Sequence, residues 1–289
     1  MNHECGVITL AVEKDYKKAI ALALTLKEHS PSLPISIVCS NKLTNFVSPY
    51  FDKVIIERSD LKGFEHKLYL DEYSPYINTF FFDADILIIK DILPIINLWS
   101  GSDYAVRGYI ITKEKGKKIS NFGLDRINTL QLIDKKEFSV IDGAGHAYFE
   151  KPACKILFNT AREILKEYPK YKANSFADED AVGIAMTKLD IKPKDNNAFL
   201  GSPWCAQKGS FKIDTNKGIC TYVDKQVGII DPYVVHFPRF VYPYIYTVEL
   251  KKIFKKNNIR IGGLYSNMLV EIFTGRVLWR LSRLKKRLF

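Results

Sequence analysis

The run Phe80-Phe81-Phe82-Asp83-Ala84-Asp85-Ile86-Leu87-Ile88-Ile89-Lys90 constrains the fold more than any other part of the chain. An unbroken apolar stretch of this kind reads as a strand buried on both faces, the pattern of a parallel sheet lying under helices. Two carboxylates interrupt it. A carboxylate withdrawn from water is costly unless it meets a metal or a cation. With one residue between them at a strand end, Asp83 and Asp85 can lean toward a single divalent cation. Hard cations such as Mg²⁺ and Mn²⁺ take oxygen ligands and commonly hold phosphates as well. The plainer reading, two aspartates closing a strand end, stays open here because Asp-x-Asp is a short pattern.

The segments around this run alternate. Gly6-Val7-Ile8-Thr9-Leu10-Ala11 reads as a first strand, and Tyr16 to His29 as a helix ended by Pro31 and Pro34. Ile35 to Cys39 and Val54-Ile55-Ile56 read as strands, with a helix from Lys67 to Tyr73 before the Phe80 strand. Strand and helix alternating at this spacing predict βαβ units and a parallel sheet. Ligands of such sheets bind beyond the carboxyl ends of the strands, which puts Thr9, Leu10, Ala11, Asp83 and Asp85 on one rim. Past Asp85 the alternation weakens. Residues 112–125 read as a polar, mobile loop, Ala147–Phe149 as a strand, Pro152–Tyr168 as a helix begun by its proline, and Asp178 to about Leu189 as another. Residues 196–230 are Gly-rich and give no clear reading.

At 289 residues the chain can bury a large core. Met1 to Gly6 lacks the basic flank of a signal peptide, and no run reaches the length of about 18 apolar residues that a spanning helix needs. The expectation is a cytoplasmic protein, soluble or peripheral at a membrane. Five scattered cysteines, with no CxxC pair, point to small buried thiols and away from zinc or a disulfide framework. The net charge of +11 is uneven: residues 251–289 carry +10 and residues 1–250 only +1. A near-neutral body with no nucleic-acid motif argues against a nucleic-acid partner.

Taken in order over roughly residues 5–245, these segments resemble the GT-A glycosyltransferases, most closely the retaining family 8-like group that includes glycogenin and bacterial lipooligosaccharide galactosyltransferases. Val7 to Ala11 followed by Tyr16 is similar to the family's nucleotide-holding strand and loop, which would stack Tyr16 on uracil. His66-Lys67-Leu68 resembles the segment that brings a basic side chain to the donor. Asp83-Ala84-Asp85 matches the DxD motif, Gly143-Ala144-Gly145 resembles the Asn-Ala-Gly turn, Asp178-Glu179-Asp180 the Asp-Gln-Asp stretch, and Val235-His236-Phe237 the late metal-ligand histidine. The resemblance implies an α/β GT-A catalytic domain (residues 1–246) with a Rossmann-like, mostly parallel nucleotide-binding sheet. It also implies a metal held by Asp83, Asp85 and His236, and a nucleotide-sugar donor, a UDP-hexose. Its acceptor would be a glycan or glycolipid.

The residue types suit that chemistry. A metal neutralises the charge that develops on a diphosphate leaving group, and an imidazole beside carboxylates fits Mn²⁺ slightly better than Mg²⁺. Taken alone, His236 between Val and Phe reads as a satisfied core histidine. Asp178, Glu179 and Asp180 taken alone read as an acidic helix N-terminus that complements the dipole. Within the resemblance they flank the anomeric carbon. Glu179 stands where the family holds Gln, so front-face substitution and double displacement through Glu179 both remain open. Three departures bear on the donor. Arg239 and Tyr242 stand where the late motif has its glycine and lysine, and Gly143 stands for the donor-side Asn. Arg239 would then pair with phosphate, and Asp142 would take over the sugar contacts.

Residues 247–289 form a basic tail. Arg276, Arg280, Arg283 and Arg287 fall on one helical stripe beside Val277, Leu281, Leu284 and Leu288. This pattern suits a helix lying on an anionic membrane through 264–289, hinged at Gly262-Gly263, or one packed on the body with a solvated basic face. Glycogenin-like self-glucosylation and a non-catalytic nucleotide-sugar or glycan binder are the alternative functions.

Overall fold

A computed structural model describes residues 4–12, 15–142, 145–194, 199–224, 227–238 and 243–260. Along the chain come β1 (Cys5–Ala11), α1 (Tyr16–His29), β2 (Ile35–Cys39), α2 (Thr44–Val47) and β3 (Lys53–Ile56). A 3-10 segment (Gly63–Tyr69) runs into α3 (Leu70–Tyr73), followed by β4 (Asn78–Asp83), β5 (Ile86–Ile88) and α4 (Leu93–Trp99). Then follow β6 (Tyr104–Ala105), β7 (Gly108–Ile111), α5 (Arg126–Leu132), β8 (Phe138–Ile141), β9 (His146–Glu150), α6 (Lys155–Lys166) and α7 (Asp178–Lys188). The short strands β10 (Leu200–Gly201), β11 (Lys212–Asp214), β12 (Ile219–Asp224), β13 (Gly228–Ile230) and β14 (Val234–His236) precede α8 (Pro243–Lys256).

The described residues fall into two compact units. The first, drawn from 1–16, 31–84 and 93–197, holds a six-stranded sheet of order β3-β2-β1-β4-β9-β6. Its first four strands are mutually parallel, while β9 and β6 add antiparallel pairs. Both faces of β4 are covered, as its composition predicts. Phe80 stacks on Phe82 (5.1 Å) and Trp99 (5.4 Å), while Phe81 joins a core with Phe149, Phe158, Ala161, Ile184 and Ala185. Each such buried phenylalanine contributes about 2–3 kcal/mol. The parallel register sets Leu10 beside Asp83, so the end of β1 and the end of β4 share one rim.

The second unit is drawn from 17–30, 85–92 and 198–289. Its three-stranded sheet β10-β14-β5 is braced by α1: the Ile88 amide donates to Thr25 Oγ1 (3.2 Å) and the Ile92 amide to Ser30 Oγ (2.9 Å). Helix α8 sends the buried Glu249 to accept from the Thr215 amide and hydroxyl, each at 3.0 Å. The strands β11, β12 and β13 make an antiparallel sheet from the segment whose sequence gave no clear reading.

Two local expectations change. The apolar run is not one strand, because the chain turns at Ala84-Asp85 and β5 pairs antiparallel with β14 in a separate sheet. Residues 112–125 are a tied loop, with an Ile119–Asp125 bridge and a backbone bond from Arg126 to Lys118 (2.9 Å). The five cysteines are free thiols; Cys39, Cys154 and Cys220 are buried, and Cys5 and Cys205 half-buried. Among the described residues no helix is long and apolar enough to cross a membrane. Gly143, Ala144, Arg239, Tyr242, the Gly262-Gly263 hinge and the tail 264–289 lie outside the described residues.

Candidate functional site

The break between β4 and β5 builds the first part of the site. The Asp83 amide donates to the Gly145 carbonyl (2.7 Å), and the Phe237 amide donates to the Asp85 carbonyl (3.0 Å). The antiparallel register of β14 on β5 opposes His236 to Ile86, and this brings His236 Nε2 to 3.2 Å from Asp85 Oδ1. Asp83 precedes Asp85 by two residues in the chain, and Asp83, Asp85 and His236 are each half-buried. A carboxylate set against an imidazole suits a divalent cation of the Mg²⁺ or Mn²⁺ type.

Lys67 is the cation facing this rim. Its Nζ lies 2.9 Å from Asp83 Oδ1, donates to Asp83 Oδ2 (3.1 Å), and stands 3.3 Å from Asp178 Oδ2. Burial works against the charged ammonium, but Asp178 and Asp83 outweigh it, so the Lys67 pKa is raised. The 3-10 segment presents this side chain from a fixed backbone. Gly63 enters it at φ +54°, a conformation in which a side chain is strained, and the Lys62 amide donates to Glu65 Oε2 (2.9 Å).

Behind the segment, the buried Arg162 of α6 donates to the Leu68 carbonyl (3.0 Å) and makes a two-pronged pair with Asp71 (2.8 and 3.2 Å). Its guanidinium also covers the Tyr69 ring at 4.9 Å.

The first turn of α7 supplies the acids. Glu179 is partly buried beside Asp178 and Asp180, and burial together with these two carboxylates pushes its pKa up to about 7. Asp180 is buried and accepts from Ser120 Oγ (2.7 Å); burial raises its pKa against that bond. Helix α7 approaches β8 closely because Gly183 lacks a side chain: a Cβ there would stand 2.8 Å from the Ser139 carbonyl oxygen. A small cavity opens among Lys67, Tyr104, Ile141, His146, Asp178 and Glu179.

The remaining expected residues are placed less uniformly. Thr9 and Ala11 are buried and Leu10 is half-buried at the end of β1. Tyr16 opens α1 with its ring 5.7 Å from Phe46. Ala84 is buried in the turn. Asp142 is 51% exposed at the end of β8, where Arg107 Nη2 donates to it (2.9 Å).

The sequence reading passed over Arg162, Ser120 and the buried Arg126, which lies close enough to lower the pKa of both Glu179 and Asp180. A signal existed for one of them: Arg162 sits four residues after Phe158 on the apolar stripe of α6, an unusual place for a cation.

No protein-family model matches the chain, and no curated protein matches it by sequence. Solved structures do match. The galactosyltransferase LgtC in complex with donor and acceptor sugar analogues aligns over 91% of this chain and 99% of its own, with a TM-score of 0.54 and 13% identity. A glutamine-to-glutamate active-site mutant of LgtC aligns over 87% of this chain and 95% of its own, with a TM-score of 0.55 and 13% identity. The bifunctional glycosyltransferase WbbM aligns over 88% of this chain and 50% of its own, with a TM-score of 0.55 and 14% identity. The chain therefore has the GT-A glycosyltransferase fold, a mixed α/β architecture around a mostly parallel central sheet.

Proposed function

We propose that the protein is a metal-dependent, retaining glycosyltransferase that moves a hexose from a UDP-sugar to a glycan or glycolipid acceptor. The observation that carries this reading is the approach of His236 Nε2 to Asp85 Oδ1 (3.2 Å), two residues after Asp83 in the chain. Asp83 is at the same time held by Lys67, which reaches on to Asp178. Held by those three residues, a divalent cation such as Mn²⁺ or Mg²⁺ would neutralise the charge of the departing diphosphate.

The other residues take complementary parts. The ends of β1 at Thr9, Leu10 and Ala11 receive the nucleotide, and Tyr16 stacks on its base. Lys67 is a fixed second cation near the diphosphate, aimed before the donor arrives. Asp178 and Asp142 bind sugar hydroxyls, and Arg239 pairs with phosphate. Asp180, turned by Ser120, faces the acceptor side.

Glu179 decides between two routes to retention. As a carboxylate it attacks the anomeric carbon while the bond to the diphosphate oxygen breaks; the acceptor oxygen then displaces the carboxylate and its proton passes to the released diphosphate. As a neutral acid it donates a hydrogen bond, and the acceptor enters on the face the diphosphate leaves. A pKa near 7 keeps both forms populated at neutral pH. The basic tail 264–289 holds the enzyme at an anionic membrane surface.

A donor screen tests the reading. Thermal shift and slow hydrolysis are recorded for a panel of nucleotide sugars with Mn²⁺, Mg²⁺ or EDTA. The expected result is a shift and hydrolysis for one UDP-hexose that vanish in EDTA; no shift with any donor would sink the proposal.

A further inference from the structure

The loop that runs from β7 to α5 carries Lys113, Lys115, Lys117 and Lys118 within six residues, with Glu114 as their one acid. All are exposed. Glu114 accepts from Thr112 Oγ1 (2.8 Å), and Lys117 Nζ donates to Asn121 Oδ1 (2.7 Å). Lys113, Lys115 and Lys118 make no side-chain hydrogen bond or ion pair among the described residues. Four cations gathered around one acid repel one another and favour a further anion brought from outside.

This loop is pinned to the acidic cluster. Ser120 Oγ donates to Asp180 Oδ2 (2.7 Å) and accepts from the Leu124 amide (3.0 Å). The buried Arg126, which acts on Glu179 and Asp180, donates from Nη1 to the Lys117 carbonyl (2.9 Å) and from its amide to the Lys118 carbonyl (2.9 Å). The lysines are therefore presented from a fixed turn, one guanidinium away from the proposed reaction centre. The acids Asp178, Glu179 and Asp180 outnumber cations at that centre and would repel a negatively charged acceptor, unless its charge were held on an outer rim.

We propose that residues 113–118 are an acceptor-recognition edge for an oxyanion, so that the acceptor is a sugar chain bearing a phosphate or a carboxylate. This rests on the glycosyltransferase reading above for the word acceptor, and on the loop alone for the anion site.

Lysine acetylation footprinting of the full chain tests it, with pentamannose 6-phosphate and sialyllactose as anionic probes and mannopentaose and lactose as their neutral counterparts. Labelling of Lys113, Lys115 and Lys118 is expected to fall at least about threefold with one anionic probe and to stay unchanged with its neutral counterpart. The probe that protects tells phosphate from carboxylate. Equal labelling with charged and neutral sugars, or protection confined to lysines outside the loop, overturns the proposal. Protection of the loop by UDP with Mn²⁺ assigns it to the donor and overturns it as well. The donor screen reports separately on the enzyme: a protected loop without any donor shift would leave the anion site standing and remove the transferase.

Discussion

Arg162 Nη1 donates to the main-chain oxygen of Leu68 at 3.0 Å, one residue beyond Lys67. A guanidinium on α6 thus fixes the backbone that aims the cation of the proposed donor site from the far side of the segment. The same Arg162 neutralises the buried Asp71, so the clamp and the packing of α6 against the 3-10 segment are one structure.

Breaking that clamp should be expensive. Arg162→Met leaves Asp71 buried without its partner and is expected to cost about 3–5 kcal/mol, seen as a lower midpoint in urea unfolding. Arg162→Met combined with Asp71→Asn should recover part of the loss, because no uncompensated charge remains. A single variant as stable as the wild type would show that the pair is solvated in solution.

The carboxylate and imidazole cluster predicts a metal-dependent donor site. Asp85→Ala should abolish the Mn²⁺-dependent thermal shift with donor, and His236→Ala should weaken Mn²⁺ affinity at least about tenfold, measured by calorimetry. Normal Mn²⁺-dependent donor binding in Asp85→Ala would refute the metal assignment.

What could be read in advance follows the range of the interactions involved. The first strand, read from Gly6 to Ala11, and the helix Tyr16–His29 were visible from a short apolar run and from a dense helical face closed by Pro31 and Pro34. Asp83 and Asp85 stood out because they are the two carboxylates that interrupt one apolar run. The turn at Ala84-Asp85 was not visible, since neither glycine nor proline marks it and the apolar residues resume directly after it. Strands of two or three residues, such as Leu200–Gly201, are too short to show a period. Ser120 and Arg162 were hidden for another reason: their partners Asp180 and Asp71 lie 60 and 91 residues away, and no local pattern encodes that distance.

The tail makes a prediction that needs no folded geometry. Deleting residues 264–289 should leave donor hydrolysis intact and release the protein from liposomes containing anionic lipid, because this segment sets six Lys and Arg against the single acid Glu271. Unchanged co-sedimentation with those liposomes would assign the basic face to solvent.

Ser120→Ala tests how Asp180 is tuned. The hydroxyl bond favours the charged carboxylate and opposes the burial that raises the Asp180 pKa. Its removal should raise that pKa further and destabilise the fold by about 1 kcal/mol near neutral pH. The loss should shrink in acid, where Asp180 is protonated in either protein. A pH-independent loss would place the whole effect in the loop bonds from Phe122 and Leu124.

Glu179 gives the sharpest test of electrostatics in the metal-free protein. Burial beside Asp178 and Asp180 raises its folded pKa to about 7 from an ordinary 4.5. The folded state therefore holds a proton that the unfolded chain has released. Its favourable share of stability is complete below pH 4.5 and is lost as pH rises through 7. Glu179→Gln cannot ionise, so in EDTA it should be more stable than the wild type at pH 8, by about 3 kcal/mol. At pH 4 the two should be nearly equal. Urea unfolding of both proteins across this range measures the difference, and a constant gap between them would show that Glu179 is ionised in the fold. The same variant separates the two chemical routes. Double displacement predicts loss of a covalent glycosyl adduct in mass spectra together with a kcat at least about a hundredfold lower, whereas front-face substitution predicts activity within about tenfold of the wild type.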